Sequence, residues 1–320
     1  MKPIENIFIV GPTACGKSAL ALVLAERVGG EIISVDSMQV YRGLDIGTAK
    51  PSAEEQARVP HHLIDVVELN EPFDAATFVR LARAAEDDIR ARGRVPIFCG
   101  GTGFYLNAYL KGLGEAPPAE AALRQQLQSM PLDVLLAELQ QSDPVTYGAI
   151  DKQNPRRVVR AVEVIRLTGK PFSSQRSEWH SSRSSRGDEA HSEKDQSLLT
   201  SADTHVLGLR RTSEDLQQRI NVRVDEMFAR GLVDETRALL ARGLDRNVTA
   251  MQAIGYRQVV EHLRGERSIS DTIALVKTKT RQFAKRQMTW FRRQLPVQWV
   301  EVSPNQSIDT VAAGITARLS

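Results

Sequence analysis

The sequence of 320 residues has little cysteine and no long hydrophobic run. Its two cysteines, Cys15 and Cys99, are too few for a disulfide framework and have no partners spaced as metal ligands. No stretch approaches the roughly 18 to 20 apolar residues that span a bilayer. The N-terminus also lacks the basic start, apolar core and cleavage site of a signal peptide. We therefore expect a cytoplasmic protein that has no membrane partner.

The sequence also lacks a strong net charge. A formal charge of +3 and a hydrophobic fraction of 42% are ordinary for a globular enzyme, and they identify no partner. The positive residues are nevertheless clustered. Residues 277–293 contain seven lysines and arginines without an acidic residue, and residues 152–166 contain five against one glutamate. Clusters of this kind are candidate contacts for a polyanion.

Short apolar runs rich in β-formers alternate with helical patterns along most of the chain. The runs NIFIV, EIISV, HLIDVV, VPIFC and THVLGLR predict an α/β fold with a parallel sheet flanked by helices. Residues 115–203 have no convincing strand. We interpret them as a helical insertion in a core formed by residues 1–114 and 204–320, with extra helices on the sheet as the alternative. The Ser-rich, charged end of the insertion, about residues 173–203, predicts a flexible loop.

The segment GPTACGKS, residues 11–18, matches the pattern G-x-x-x-x-G-K-[ST], with a predicted strand before it and a helix after it. Glycines let the backbone curl so that successive N–H groups point at phosphate oxygens, and Lys17 adds a movable cation. The Ser18 hydroxyl can hold Mg²⁺, and the helix N-terminus adds partial positive charge. The segment therefore predicts a phosphate site, which kinases, ATPases and other users of diphosphates share.

Two further polar residues follow predicted strands, at the edge of the sheet where ligands gather. Asp36 follows EIISV and could be a Mg²⁺ ligand, a general base or a helix N-cap. Thr102, in CGGTGFYL, could donate a hydrogen bond to a leaving oxygen or lie in a plain glycine turn. His61 and His62 have no clear third ligand beside them, which favours a structural role.

Eight segments, in order and over nearly the full chain, closely resemble the bacterial tRNA dimethylallyltransferases, the IPP transferase family. They are GPTACGKS, DSMQVYRGLDIGTAKP, HHLIDV, GGTGFYL, NPRRVVRAVEVIRLTGKP, GLVDETRALLARG, AIGYRQ and TRQFAKRQMTWFRR. The second segment is far more specific than a phosphate loop. The departure from the family is the Ser/Arg-rich tract from Ser173, which is longer than the family requires.

The resemblance implies a P-loop NTPase-like fold with a helical insertion, and it implies a prenyltransferase. The enzyme would transfer a dimethylallyl group from dimethylallyl diphosphate to N6 of adenine 37, beside the anticodon of tRNAs that read codons beginning with U. The whole diphosphate would be released. Mg²⁺ is the implied cofactor, tRNA and dimethylallyl diphosphate are the implied partners, and a monomer is the implied state.

The resemblance also implies roles for individual residues. Asp36 would accept the N6 proton, Thr102 would contact the bridging oxygen of the scissile bond, and Arg223 would supply a cation to the diphosphate. The implied diphosphate contacts are Gly11, Thr13, Ala14, Cys15, Gly16, Lys17, Ser18 and Arg219, with Ser18 on Mg²⁺. The implied tRNA contacts are Asp36, Ser37, Met38, Gln39, Thr102, Arg124, Gln153, Asn154, Pro155, Arg156, Arg157, Gln252, Gly255, Tyr256, Arg257, Lys285 and Arg286.

Three alternatives stand beside this hypothesis. A small-molecule kinase would need a nucleobase pocket and a lid with arginines, and it would not need a basic helical insertion. An adenylate isopentenyltransferase would share the active site but have fewer segments that contact RNA. A nucleotide-dependent RNA-binding module without catalysis would leave Asp36 idle.

Overall fold

The computed structural model describes residues 6–113, 116–175 and 204–319. The chain forms two compact units, one made of residues 1–110 and 197–320 and the other of residues 111–196. The boundaries predicted for the insertion stay predictions, because the residues around both of them include some outside the described ranges.

A six-stranded parallel sheet forms the centre of the first unit. Its strands are β1 (Asn6–Val10), β2 (Gly30–Val35), β3 (His61–His62), β4 (Val95–Gly100), β5 (Thr204–Arg210) and β6 (Gln298–Glu301). Their order across the sheet is β3-β2-β4-β1-β5-β6. The predicted α/β fold with a parallel sheet is therefore confirmed.

The third strand is shorter than the sequence predicts. The run HLIDVV, residues 62–67, was expected to be a strand, but β3 ends at His62. Leu63 and Asp65 have φ angles of 62° and 55°. Both values lie in the left-handed region, which is incompatible with an extended strand, so the chain turns away after two residues of pairing.

Thirteen α-helices lie between and after the strands in the described part of the chain. They are α1 (Lys17–Val28), α2 (Ala53–Arg58), α3 (Ala75–Ala91), α4 (Gly103–Lys111), α5 (Ala121–Ser129), α6 (Leu132–Ser142), α7 (Pro144–Ala149), α8 (Pro155–Thr168), α9 (Ser213–Ala229), α10 (Leu232–Ala241), α11 (Tyr256–Leu263), α12 (Ile269–Gln294) and α13 (Ile308–Leu319). None of these helices, within the ranges the structure describes, is both long enough and apolar enough to cross a membrane.

Two hydrophobic cores lie on opposite faces of the sheet, because successive side chains of a strand point to opposite sides. Ile7 and Ile9 of β1 pack with α1 and α13 on one face. Phe8 and Val10 pack with α3, α4 and α12 on the other. No residue of β1 is more than 2% exposed. The strand is therefore a rigid base for the loop that follows it.

The second unit consists of α5 to α8 around a small core of its own. Asn154 is the N-cap of α8: its side chain accepts the N–H of Arg157, and the next residue is proline. The flexible loop predicted from about residue 173 does not begin there. Phe172–Gln175 form a 3-10 turn in which Gln175 is buried, and the remainder of the tract, residues 176–203, lies outside the described residues.

Candidate active site

Three polar loops meet at one edge of the sheet, where β1, β2 and β4 end side by side. They are the phosphate loop (residues 11–18), the segment that begins at Asp36, and the GGTG turn (residues 100–103). Ligands of parallel α/β sheets bind outside the carboxyl ends of the strands. These loops therefore form the candidate active site.

The phosphate loop has the curled backbone that its glycines permit. Gly11 and Gly16 have φ angles of 135° and 103°, in the region that favours glycine. A Cβ at Gly11 would lie only 2.6 Å from the carbonyl oxygen of Leu209 in β5. The Lys17 ammonium donates to the carbonyl oxygen of Pro12 at 2.7 Å, within the loop. The cation is thus held beside the N–H groups that would receive a phosphate.

Two arginines support the phosphate loop by binding its carbonyl oxygens. Arg219 donates from Nε to Ala14 at 3.0 Å, and Arg211 donates from Nε to Cys15 at 2.8 Å. Arg211 is also paired with Asp215 at 2.7 Å and its side chain is only 3% exposed. Arg219 was expected to bind diphosphate, and its observed contact is with the loop itself. Arg211 was not expected at the site.

Asp36 and Thr102 connect two of the loops. The Thr102 hydroxyl oxygen accepts the N–H of Ser37 at 3.1 Å. Asp36 Oδ1 accepts the N–H groups of Met38, at 2.8 Å, and Gln39, at 3.3 Å. Among the described residues, no hydrogen bond occupies Asp36 Oδ2 or takes the hydroxyl hydrogen of Thr102. Each side chain therefore has one group left with which to contact a substrate.

Arg223 is a half-buried cation on α9 that is coupled electrostatically to this site. Burial lowers the pKa of its guanidinium, and the nearby Asp36 carboxylate and Cys15 thiol oppose that shift. Arg223 makes no hydrogen bond or ion pair with the residues that the structure describes. A partly desolvated cation that forms no ion pair with the described residues is suited to bind an anionic ligand.

The side chain of Gln39 is already engaged within the protein. It accepts from the Ser34 hydroxyl at 2.8 Å and donates to the carbonyl oxygens of Thr48 and Ala49 at 3.2 and 3.3 Å. The contact with tRNA that was expected of Gln39 would have to compete with these bonds. Met38, another expected tRNA contact, is partly buried against the core.

Tyr256 was expected to contact tRNA, but its side chain has no exposed surface with which to do so. It is 0% exposed, donates to Glu235 at 2.6 Å and accepts the N–H of Gly47 at 3.1 Å. Glu235 also accepts the N–H of Ile46 at 2.9 Å. Tyr256 therefore holds the loop that follows Asp36 in the chain. Gly255, another expected contact, has a φ of 107° and is the N-cap residue that precedes α11.

The remaining predicted RNA contacts of the first unit lie in two grooves beside α12. One groove, of about 540 Å³, is lined by a face of α12 that includes Lys285, Arg286 and Trp290. The other, of about 440 Å³, is lined by α11 and α12 and brings Gln252 and Arg257 together with Arg286. Cations beside an aromatic ring suit a nucleic acid, because phosphates and bases can both be bound.

The predicted RNA contacts of the second unit differ in exposure and in the support that they give to the fold. Gln153, Pro155, Arg156 and Arg157 are exposed at the start of α8. Arg124 instead pairs with Glu163, which is fully buried and also bound by Arg160. Burial by itself would raise the pKa of Glu163, but hydrogen bonds from the two arginines outweigh it and lower the pKa. Arg124 therefore has a structural role in this unit, in addition to its predicted contact with RNA.

The residues around Ser18 fit the way in which Mg²⁺ is usually held beside a diphosphate. Mg²⁺ commonly takes one or two protein oxygens, substrate phosphate oxygens and several waters, without a protein cage. Ser18 is exposed at the start of α1, and Asp36 begins another of the three loops, directly after β2. In the described part of the chain, no group of three His, Cys, Asp or Glu side chains could hold a metal by itself.

The sequence did not reveal Gln287, which the structure brings to the site from α12. It is 7% exposed and hydrogen bonds to both the phosphate loop and the GGTG turn. The signal available in the sequence was a polar residue on the apolar face of a basic helix. That signal does not identify the partner of Gln287, because Thr13 lies 274 residues away in the sequence. Neither it nor Arg211 carries a local motif.

Comparison with known proteins finds the same family throughout. A family model described as IPP transferase matches residues 39–294. The chain is similar to a tRNA dimethylallyltransferase from Geobacillus kaustophilus, 45% identical over 300 residues, covering 92% of this chain and 90% of the relative. It is also similar to the solved full-length tRNA isopentenylpyrophosphate transferase from Bacillus halodurans, at 38% identity and TM-score 0.68, covering 99% and 97% of the two chains. A eukaryotic dimethylallyltransferase solved in snapshots of its action on tRNA is 29% identical, with TM-score 0.77 and coverage of 98% and 77%.

Proposed function

The chain belongs to the IPP transferase family, and from this premise we propose that it transfers a dimethylallyl group from dimethylallyl diphosphate to N6 of adenine 37 of tRNA. The predicted resemblance and the predicted enzyme class, a tRNA prenyltransferase, are confirmed by the family match and by the names of the relatives. The family match also favours prenyl transfer over the kinase alternative, although both would use a phosphate loop.

The observation that carries the proposal is the arrangement of the three loops. The phosphate loop with Lys17, and the uncommitted cation of Arg223, can bind the diphosphate. Thr102 can donate its hydroxyl hydrogen to the bridging oxygen, and Asp36 has a carboxylate oxygen available for the amine. One edge of the sheet therefore supplies both the cations that a leaving group needs and the base that a nucleophile needs.

In the proposed reaction, the N6 amine attacks C1 of the dimethylallyl group and forms a carbon–nitrogen bond. The carbon–oxygen bond to the diphosphate breaks, and its electron pair leaves on the bridging oxygen. Lys17, Arg223 and the N–H groups of the phosphate loop stabilise the negative charge that grows there. Asp36 accepts the N6 proton. When bound, Mg²⁺ would be held by Ser18 and would supply further charge stabilisation.

The RNA must present an unstacked base to this site, because N6 of a stacked adenine is not accessible. Bases in an anticodon loop are not paired in a duplex, so the cost of presentation is small. The exposed cations of α12 and of the start of α8 support tRNA as the polyanion that is bound. A tRNA substrate also supports the expected cytoplasmic location. The expected monomer is supported by the three loops of the site, which all come from one chain.

The test is mass spectrometry of an anticodon stem-loop RNA incubated with the enzyme, Mg²⁺ and dimethylallyl diphosphate. We expect the target adenine to gain one C5H8 unit and diphosphate to appear. A matched RNA with guanine at position 37 should gain nothing. Free AMP in place of RNA tests the adenylate isopentenyltransferase, and ATP in place of the prenyl donor tests the kinase. No gain on RNA, with ADP formed from ATP, would refute the proposal.

A further inference from the structure

Gln287 of α12 hydrogen bonds to two of the three loops at the candidate active site. Its Oε1 accepts the N–H of Thr13 in the phosphate loop at 2.9 Å, and its Nε2 donates to the carbonyl oxygen of Gly101 in the GGTG turn, also at 2.9 Å. One partner is a donor and the other an acceptor, which fixes the orientation of the amide. A glutamate, lysine or methionine of similar length could not satisfy both partners.

The GGTG turn is shaped to receive side chains of α12. A Cβ at Gly101 would lie 2.1 Å from Nε2 of Gln287, and a Cβ at Gly103 would lie 2.2 Å from the ring of Trp290. Thr102 lies between these two glycines. Because both of its neighbours pack closely under one helix, α12 fixes where the Thr102 hydroxyl lies relative to the phosphate loop.

We infer that Gln287 is a positioning residue that sets the spacing between the phosphate loop and Thr102. This spacing aligns the bound diphosphate with the hydroxyl that contacts its bridging oxygen, so the inference rests on the proposed function. Both polar groups of Gln287 are taken up by the protein, and the residue is 7% exposed. It therefore acts through Thr13 and Gly101 and does not touch the substrate.

The RNA contacts proposed for α12 lie on its exposed side. Lys285 and Arg286 are exposed, whereas Gln287 faces the two loops. Methionine is close to glutamine in length and volume but forms neither hydrogen bond. Because a misplacement of reacting groups by 1 Å can cost on the order of 10² in rate, we expect Gln287→Met to lower kcat by about 10²-fold. The KM for RNA should stay within about threefold of wild type.

The experiment measures kcat and both KM values for the wild type, Gln287→Met and Gln175→Met, with stem-loop RNA, dimethylallyl diphosphate and Mg²⁺, together with melting temperatures. Gln175 is a matched control because it is also 7% exposed and its amide donates to Thr168 in the second unit. We expect Gln175→Met to keep the wild-type kcat. A further variant, Gln287→Glu, keeps an acceptor for Thr13 but turns an oxygen towards the Gly101 carbonyl, and its kcat should fall similarly.

Each outcome decides the inference. A kcat of Gln287→Met within about threefold of wild type overturns it, and so does an equal loss in Gln175→Met, which would indicate a general effect of removing a buried amide. Loss of RNA affinity with unchanged kcat would place Gln287 in RNA binding and overturn it as well. If Gln287→Met does not fold, the kcat of Gln287→Glu decides in the same way. A wild-type enzyme that leaves the RNA unprenylated refutes the proposed function itself, and with it the inference.

Discussion

Replacing Asp36 by asparagine should remove the proposed base while leaving its loop intact. Asp36 Oδ1 accepts the N–H groups of Met38 and Gln39 at 2.8 and 3.3 Å. The side-chain oxygen of asparagine can accept both. Since a hydrogen bond contributes about 0.5 to 1.5 kcal/mol, Asp36→Asn should change the free energy of unfolding by less than about 1 kcal/mol, and Asp36→Ala by about 1 to 3 kcal/mol.

The chemical step should respond very differently. Loss of a general base slows a reaction by about 10² to 10⁴. At about 1.36 kcal/mol for each factor of ten, the barrier would rise by about 3 to 5 kcal/mol. Single-turnover prenylation of a stem-loop RNA measures the rate, filter binding measures the affinity for RNA, and urea unfolding measures stability. We expect both Asp36 variants to be equally slow, although only the alanine variant is destabilised.

Two results would refute this reasoning. A rate for Asp36→Asn within about tenfold of wild type would mean that Asp36 is not the base. A fall in RNA affinity as large as the fall in rate would mean that the carboxylate binds the RNA and that its effect on the rate is a binding effect.

Three further predictions concern single side chains. Tyr256→Phe removes one donor to Glu235 and the hydroxyl oxygen that accepts the N–H of Gly47, so the free energy of unfolding should fall by about 1 to 3 kcal/mol, and an unchanged urea midpoint would contradict the proposed support of the loop. Arg157→Ala should flatten the dependence of RNA affinity on salt by about one unit of logarithmic slope, measured by filter binding at several salt concentrations, whereas a parallel shift would exclude a phosphate contact. Burial raises the pKa of the Cys99 thiol to about 12, so the thiol is neutral at pH 8. In a Cys15→Ser background, a thiol reagent should therefore label Cys99 only after denaturation, and rapid labelling of the native protein would contradict this.

The local parts of the fold were predictable from sequence, and the long-range parts were not. EIISV and VPIFC are apolar runs of strand length, and both are strands, Gly30–Val35 and Val95–Gly100. HLIDVV is a similar apolar run, but left-handed backbone at Leu63 ends the strand. The order of the strands depends on pairing across the whole chain, such as Asn6 with Thr204, and no local pattern specifies it.

The residues of the candidate site also divide into those that a local motif predicts and those that depend on long-range contacts. The phosphate loop, Asp36 and Thr102 each belong to a motif whose residues are contiguous, so sequence was sufficient to find them. The residues that support them come from distant helices. Arg211 reaches Cys15 across 196 positions of the sequence, and an arginine that binds a backbone carbonyl has no characteristic neighbours. Tyr256 lay in a segment expected to bind RNA, yet its burial depends on the packing of α10 and α11.

The strand order has a consequence for how the protein is made. β1 lies between β4 and β5, but Thr204, the first residue of β5, is synthesised about a hundred residues after β4 ends at Gly100. At about 5 to 20 residues per second, a ribosome needs about 5 to 20 seconds to bridge that interval. During this time the apolar strand β1 has one open edge, which is a surface prone to aggregation. The phosphate loop, which depends on Leu209, Arg211 and Gln287, can reach its final shape only after α12 has been synthesised.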